Sequence, residues 1–284
     1  MGTEDINHES LIASVPFSAA EALNRDCYCR TLDAAALRGI LDADPQLAGL
    51  MASLQESRPN LFSTTAVFIS PAIRAQLQAV VAAIERVIAL RAWQALALAR
   101  SPAIARHAFG PAGVFMSYDF HLGPQGPGLI EINSNAGGAL LNAALAQAQL
   151  LCCEPLELAL AASKDSRALD QAFVDMFLHE WRLQRGAGAP GLLLVVDDQP
   201  DTQYLAPEFV LFERLFERHG IESAVVDAAQ LEWRDGTLWQ QGQRVDMVYN
   251  RLTDFSLAAP EHAALREAAV ATRPMLLGEK SVAM

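Results

Sequence analysis

Glu131, Asn133 and Asn135 stand at steps of two within GLIEINSNAGGALLN, residues 128–142. A strand sends successive side chains to opposite faces, so this spacing predicts three oxygen-bearing groups on one side and Ile130 with Ile132 on the other. One face is expected to be dry and the other to hold something polar. Upstream, GVFMSYDFHL also alternates, and the intervening GPQGPG reads as the turn of a β-hairpin. With Leu122 opposite Gly128, antiparallel counting predicts Asp119 opposite Glu131 and Ser117 opposite Asn133 on one face. A slip of one residue would separate them.

Glu131, Asn133 and Asp119 would then make a set of hard oxygen donors. Such a set suits Mg²⁺, which takes one or two carboxylates and leaves its other positions to water and phosphate oxygens. It does not suit zinc, because His121 is the only nitrogen or sulfur ligand close by in the sequence. The same residues also fit a plain Asn- and Gly-rich turn after an edge strand, its polar groups merely solvated.

The elements that must position these residues are mostly helical before the hairpin. LDAAALRGILDADPQLAGLMASLQES has helical apolar spacing interrupted at Pro45, which predicts two short helices. From Ser70 an N-cap serine and Pro71 open a long amphipathic helix, broken once. After the hairpin the pattern returns to helix from about residue 140 to 185, interrupted at Glu154 and Pro155. RGAGAPG, residues 185–191, reads as a linker.

Beyond it LLLVVDD, PEFVLFERLFERHG and IESAVVDA read as a βαβ unit. A hairpin turning at Asp235 and Gly236, the strand DMVYNRL and a helix from PEHAALREAAVA follow. The expected class is α/β. Residues 1–187 form a mostly helical region carrying the hairpin, and residues 188–284 a doubly wound α/β domain. VVDDQPD stands where a glycine-rich dinucleotide fingerprint would be needed, which disfavours dinucleotide binding. DDQPD itself reads either as a solvated loop or as a cation site.

A net charge of −12 argues against a broad nucleic-acid or anionic-membrane surface. The polar, acidic start MGTEDINHES and the lack of a long apolar run predict a cytoplasmic protein without a membrane span. Cys27 with Cys29 and Cys152 with Cys153 match neither a zinc knuckle nor a disulfide framework, and read as small buried residues. His219, beside Gly220, suits a helix C-terminus.

The order SYDFHL, turn, LIEINSNAGGALLN resembles the circularly permuted ATP-grasp ligases, meaning glutathione synthetases of the eukaryotic type and, more distantly, glutathionylspermidine synthases. The resemblance implies that Glu131 and Asn133, with Asp119, hold Mg²⁺ ions bridging the phosphates of ATP. VDMVYNRLTDF resembles the family's strand whose arginine grips a substrate carboxylate, which implies substrate binding by Arg251 and, beside it, Asn135. A guanidinium suits a carboxylate through two parallel hydrogen bonds. Lys280 would correspond to the first nucleotide lysine.

The likeness runs in order and type from Leu61 to Lys280. Ser117 and Tyr118 stand where the family has an arginine before its aspartate. Asp254 occupies the place of an aromatic residue, with Phe255 one step late. Most of the family's ATP clamp would follow the substrate domain, and this chain is expected to lack it.

The implied activity joins a small-molecule carboxylate to an amine through an acyl phosphate. It relies on positioning and charge rather than on a protein nucleophile. A non-catalytic binding or scaffold protein derived from such a ligase is the alternative, and a metal-dependent hydrolase ranks last. A second copy of the chain or a complementing polypeptide is the partner these readings leave open.

Overall fold

The computed structural model describes residues 19–26, 33–107, 110, 113–148, 166–271 and 275–277. All four cysteines, Lys280 and the interruption at Glu154 and Pro155 lie outside the described residues. Mixed helix and sheet make the chain α/β in the general sense.

The first part is built from α1 (Ala19–Asp26), α2 (Ala34–Asp42), α3 (Leu50–Ser57), α4 (Pro71–Ile88) and α5 (Arg91–Leu98). Their starts follow from capping chemistry. Asp33 Oδ1 accepts from the Ala35 and Ala36 N–H groups at 2.9 and 3.0 Å. Ser70 Oγ accepts from Ile73 N–H at 3.2 Å, with Pro71 supplying a helical φ and no N–H to satisfy. The helical pattern breaks around Pro45, where a short 3₁₀ turn separates α2 from α3.

Next come the hairpin strands β1 (Ser117–Gly123) and β2 (Gly126–Asn133), then α6 (Ala139–Ala148) and α7 (Ser166–Arg185). The remainder runs β3 (Leu192–Asp197), α8 (Ala206–Arg218), β4 (Glu222–Asp227), β5 (Leu231–Arg234), β6 (Thr237–Gln240), β7 (Gln243–Arg244), β8 (Met247–Asn250), α9 (Ala263–Val270) and β9 (Met275–Leu277). At the β5–β6 turn Asp235 and Gly236 both adopt positive φ, 52° and 70°, as a two-residue hairpin loop requires. His219 caps the end of α8, its Nδ1 2.9 Å from the Leu215 carbonyl.

Four strands form a parallel sheet in the order β4-β3-β8-β9. Alternation divides the sheet between two cores. Leu193, Val195, Met247 and Tyr249 face a core with α6, α7 and α8, while Leu192, Leu194, Val196 and Val248 face one with α9. From β3 the chain crosses through α8 to β4 on one side, and from β8 through α9 to β9 on the other. The connections therefore part between β3 and β8, and the carboxyl ends of those strands are the topological position at which such sheets form a crevice.

The first core is aromatic. Phe177 meets the rings of Phe212, Phe216 and Tyr249 edge-on, with centroids 6.0, 4.9 and 5.1 Å away. Phe115, just ahead of β1, lies 6.0 Å from Phe177 and so anchors the root of the hairpin. Residues 186–191 form a loop with positive φ at Gly186 and Gly188, and α7 before it shares its core with β3 after it. Among the described residues no helix is long and apolar enough to cross a membrane.

Phe177 is fully buried and touches every layer of this core. Phe177→Ala is expected to lower unfolding free energy by about 3–5 kcal/mol, measured by urea denaturation.

Candidate functional site

The hairpin does bring Asp119 opposite Glu131 and Ser117 opposite Asn133. The route differs from simple counting. Leu122 pairs with Pro127 rather than Gly128, and a β-bulge between Asp119 and Phe120 absorbs the difference by leaving Ile130 as the extra residue on β2. The dry face is correspondingly incomplete: Ile130 is 65% exposed, while Ile132 lines an apolar cavity of about 400 Å³ with Ile84, Val87, Ile88 and Trp93.

On the polar face Asn133 Nδ2 donates to Glu131 Oε1 at 3.0 Å and to Ser117 Oγ at 3.4 Å, leaving the amide oxygen as its remaining group. Asp119, Glu131 and Asn133 are all exposed. Carboxylates directly opposite each other on a strand pair repel, and a cation between them removes that penalty. Two carboxylates and an amide offer hard oxygen donors. No group of three His, Cys, Asp or Glu side chains capable of holding a metal occurs among the described residues. Behind the ribbon, Tyr118 donates its hydroxyl to Glu85 of α4; burial and that carboxylate push the phenol up.

Two residues past Asn133 the chain reaches the crevice. Arg251, one residue beyond β8, donates from Nη1 to Asn135 Oδ1 at 2.8 Å and to the carbonyls of Asn135 and Ala136, both at 3.0 Å. Arg251 and Asn135 thus meet across 116 residues of sequence. The guanidinium also lies 5.4 Å over the Tyr249 ring, and its Nε is buried with no hydrogen-bond partner.

Glu208 of α8 holds the other side of the same loop. Its carboxylate is 1% exposed and accepts from Gly138 N–H at 2.6 Å and Leu140 N–H at 3.0 Å, capping α6. Burial pushes this carboxyl up, while those N–H groups and Arg251 pull it back down. Between the clamps Gly137 leaves room for two side-chain ends: a Cβ there would lie 2.4 Å from Leu205 Cδ1 and 2.8 Å from Arg251 Nη2, and both would have to shift.

Sequence reasoning passed over the other half of the crevice. Asp197, at the end of β3, is 8% exposed, and burial raises its carboxyl to about 6, helped by Asp198 and Asp227 and opposed by the Asp198 N–H and Arg251. His262 is 1% exposed and bridges two carboxylates, with Nε2 2.8 Å from Asp198 Oδ1 and Nδ1 2.8 Å from Asp254 Oδ2. Both ring nitrogens of His262 face carboxylate oxygens, an arrangement suited to the imidazolium, which donates from both. Burial pulls its pKa down, but the two carboxylates outweigh that and raise it above the ordinary imidazole value. Against burial, the Ala259 N–H and His262 hold Asp254 below the usual carboxylate range.

The signal for this half was present in DDQPD and in Asp254, but nothing local ties either to a histidine 64 residues from Asp198. A second cavity, of about 530 Å³, lies away from the crevice between α2, α6 and α8, with Arg218 bridging Asp44 and Asp170 at its rim.

No protein-family model matches the chain, and no curated protein matches it either.

Asp197 gives a pH test. Its folded pKa of about 6 exceeds the ordinary value, so the folded state keeps a proton that the unfolded chain releases. Its contribution to stability is complete below about pH 4 and is lost as pH rises through 6, on the order of 3 kcal/mol. Asp197→Asn is expected to be the more stable form at pH 7 and to lose that slope, seen by comparing urea denaturation of both proteins from pH 4 to 7.

Proposed function

We propose that the chain acts on a small carboxylate and an amine in the manner of a permuted ATP-grasp ligase, with Mg²⁺ and ATP as cofactors. The observation that carries this reading is the hydrogen bond between Asn135 and Arg251. The segment following the E-x-N strand is joined by it to the carboxyl edge of a parallel sheet, where its connections diverge and such sheets bind ligands. Of the residues implied by the resemblance, Asn135 and Arg251 are in direct contact, and Asp119, Glu131 and Asn133 precede Asn135 on the same segment and its paired strand, which supports the reading.

In this reading Asp119, Glu131 and the Asn133 oxygen would hold Mg²⁺, which when bound neutralises phosphate charge during phosphoryl transfer. Arg251 has given Nη1 to the protein, so its Nε edge is what remains for a substrate carboxylate. Asp197 and Asp198, across the crevice, supply negative charge for an ammonium group. In this reading the residues act by orienting and by charge.

Isothermal titration of ATP is expected to give binding with Mg²⁺ and none with EDTA. Glu131→Gln, at an exposed position, is expected to weaken that binding at least about tenfold with no change in melting temperature. Equal affinity in the variant removes the metal assignment.

A second reading, a non-catalytic binding protein, is favoured by apolar surface on the helical and hairpin part. Val87, Leu90, Leu129 and Ile130 are 48, 56, 39 and 65% exposed. It expects a dimer or larger species in size-exclusion chromatography with light scattering, and a monomer counts against it.

A further inference from the structure

The Arg251 Nε combines two properties that ordinarily exclude one another. It is a charged donor with no partner, and it is shut off from solvent. A buried donor left unmet is unfavourable and calls for an explanation in the native state. The nearest apolar neighbour of Arg251 across Gly137 is Leu205: Leu205 Cδ1 and Arg251 Nη2 both converge on this glycine, 2.4 and 2.8 Å from where a Cβ would stand. Leu205 is the last residue of the loop that leaves Asp197 at the end of β3 and enters α8.

That loop is held at both ends by side chains from elsewhere in the fold. At its start, His262 Nε2 donates to Asp198 Oδ1 at 2.8 Å. Near its end, Arg58 donates from Nε to the Tyr204 carbonyl at 2.8 Å and from Nη2 to the Gln203 carbonyl at 2.9 Å. Between these points Gln199 takes a left-handed φ of 42°, and its N–H donates to Asp227 Oδ2 at 3.0 Å, which stays in place when either end is released. The segment bearing Asp254, the anchor of His262, contains a second such residue, Leu257 at φ 48°. Non-glycine residues in this region are strained and persist where the surroundings impose them. Tyr204, at the outer end of the loop, is 57% exposed and contributes little burial to hold it.

We propose that residues 198–205 form a latched cover over Arg251, with Leu205 as the seal and His262 and Arg58 as the latches at its two ends. When the latches release, the strained loop lifts, Leu205 leaves Gly137, and the Nε edge of Arg251 opens to an oxyanion such as a carboxylate. When a ligand supplies that partner, the orphaned donor is satisfied and the cover closes over it. His262 acts through Asp198 and is a positioning residue.

What enters the crevice rests on the ligase reading, but access to Arg251 does not. The test therefore uses the full chain alone, without nucleotide, and can fail while Mg²⁺-dependent ATP binding succeeds, or the reverse. Arginines are labelled with phenylglyoxal at one fixed pH, and the rate at each site is read by peptide mass spectrometry. Arg234, whose side chain is 50% exposed on the outer hairpin, serves as the internal reference.

In the wild type Arg251 is expected to react far more slowly than Arg234. Asp198→Ala releases the His262 end and Arg58→Ala the other, and each is expected to raise the Arg251 rate about tenfold, the scale of one charge-assisted hydrogen bond. The Arg234 rate and the melting curve identify any variant that has simply unfolded, and the other variant then carries the test. Arg251 labelling as fast as Arg234 in the wild type overturns the cover. Arg251 rates unchanged in a folded variant overturn its latches.

Discussion

One guanidinium holds the two parts of this molecule in register. Arg251 gives Nη1 to three oxygens of residues 135 and 136, and so turns the end of the hairpin segment into part of the sheet edge. The same cation lies near the buried carboxylates of Asp197 and Glu208 and over the Tyr249 ring. Tyr249 in turn stacks into the aromatic core with Phe177 and Phe212. Without this charge two buried carboxylates would lose their nearest compensation, and the loop carbonyls would lose their donor. A lysine in its place would lack the second edge of the guanidinium, Nε with Nη2, which is what remains once Nη1 is committed to the loop.

Glu208 completes the clamp with the opposite sign. It satisfies N–H groups at the start of α6, where the helix dipole favours an anion, while Arg251 satisfies carbonyls a few residues earlier. Donors and acceptors of one short glycine-containing segment are thus bound from two directions, and at Gly137, between them, a Cβ would meet the ends of the Leu205 and Arg251 side chains. The orientation of the polar ribbon face follows from this clamp, because Asn133 and Asn135 are separated by one residue. The remaining support is lateral, through Tyr118 on Glu85 and through Ile132 against α4 and α5.

What the sequence made legible was mostly local. The N-cap at Ser70, the turn at Asp235–Gly236 and the cap at His219 follow from chemistry within a few residues, and the structure has them where they were expected. The hairpin register is instructive because the facing pairs were right while the starting pair was one residue out. The bulge at Ile130 made up the difference, and no alternation rule specifies a bulge. His262 was illegible for another reason. Its partners at Asp198 and Asp254 come from two different crossovers of the parallel sheet, and only the strand order β4-β3-β8-β9 brings them together. Glu208 was hidden likewise, since an acidic residue in the first turn of α8 is explained by its own helix dipole before any distant role is needed.

The two polar clusters differ in what they demand of the fold, and that difference ranks them. Asp119, Glu131 and Asn133 are exposed on a ribbon, where water screens their charges and their retention is energetically cheap. Asp197 is nearly buried beside Asp198 and Asp227, with its pKa forced upward, and the loops on either side of His262 keep non-glycine residues at positive φ. A fold selected for stability alone would replace Asp197 with an uncharged residue and relax both loops. Buried charge and strain concentrated at one sheet edge, where its connections diverge, is the pattern left when binding rather than stability sets the residues. On the function proposed above, the sheet edge around Arg251 therefore carries more of the weight than the ribbon motif.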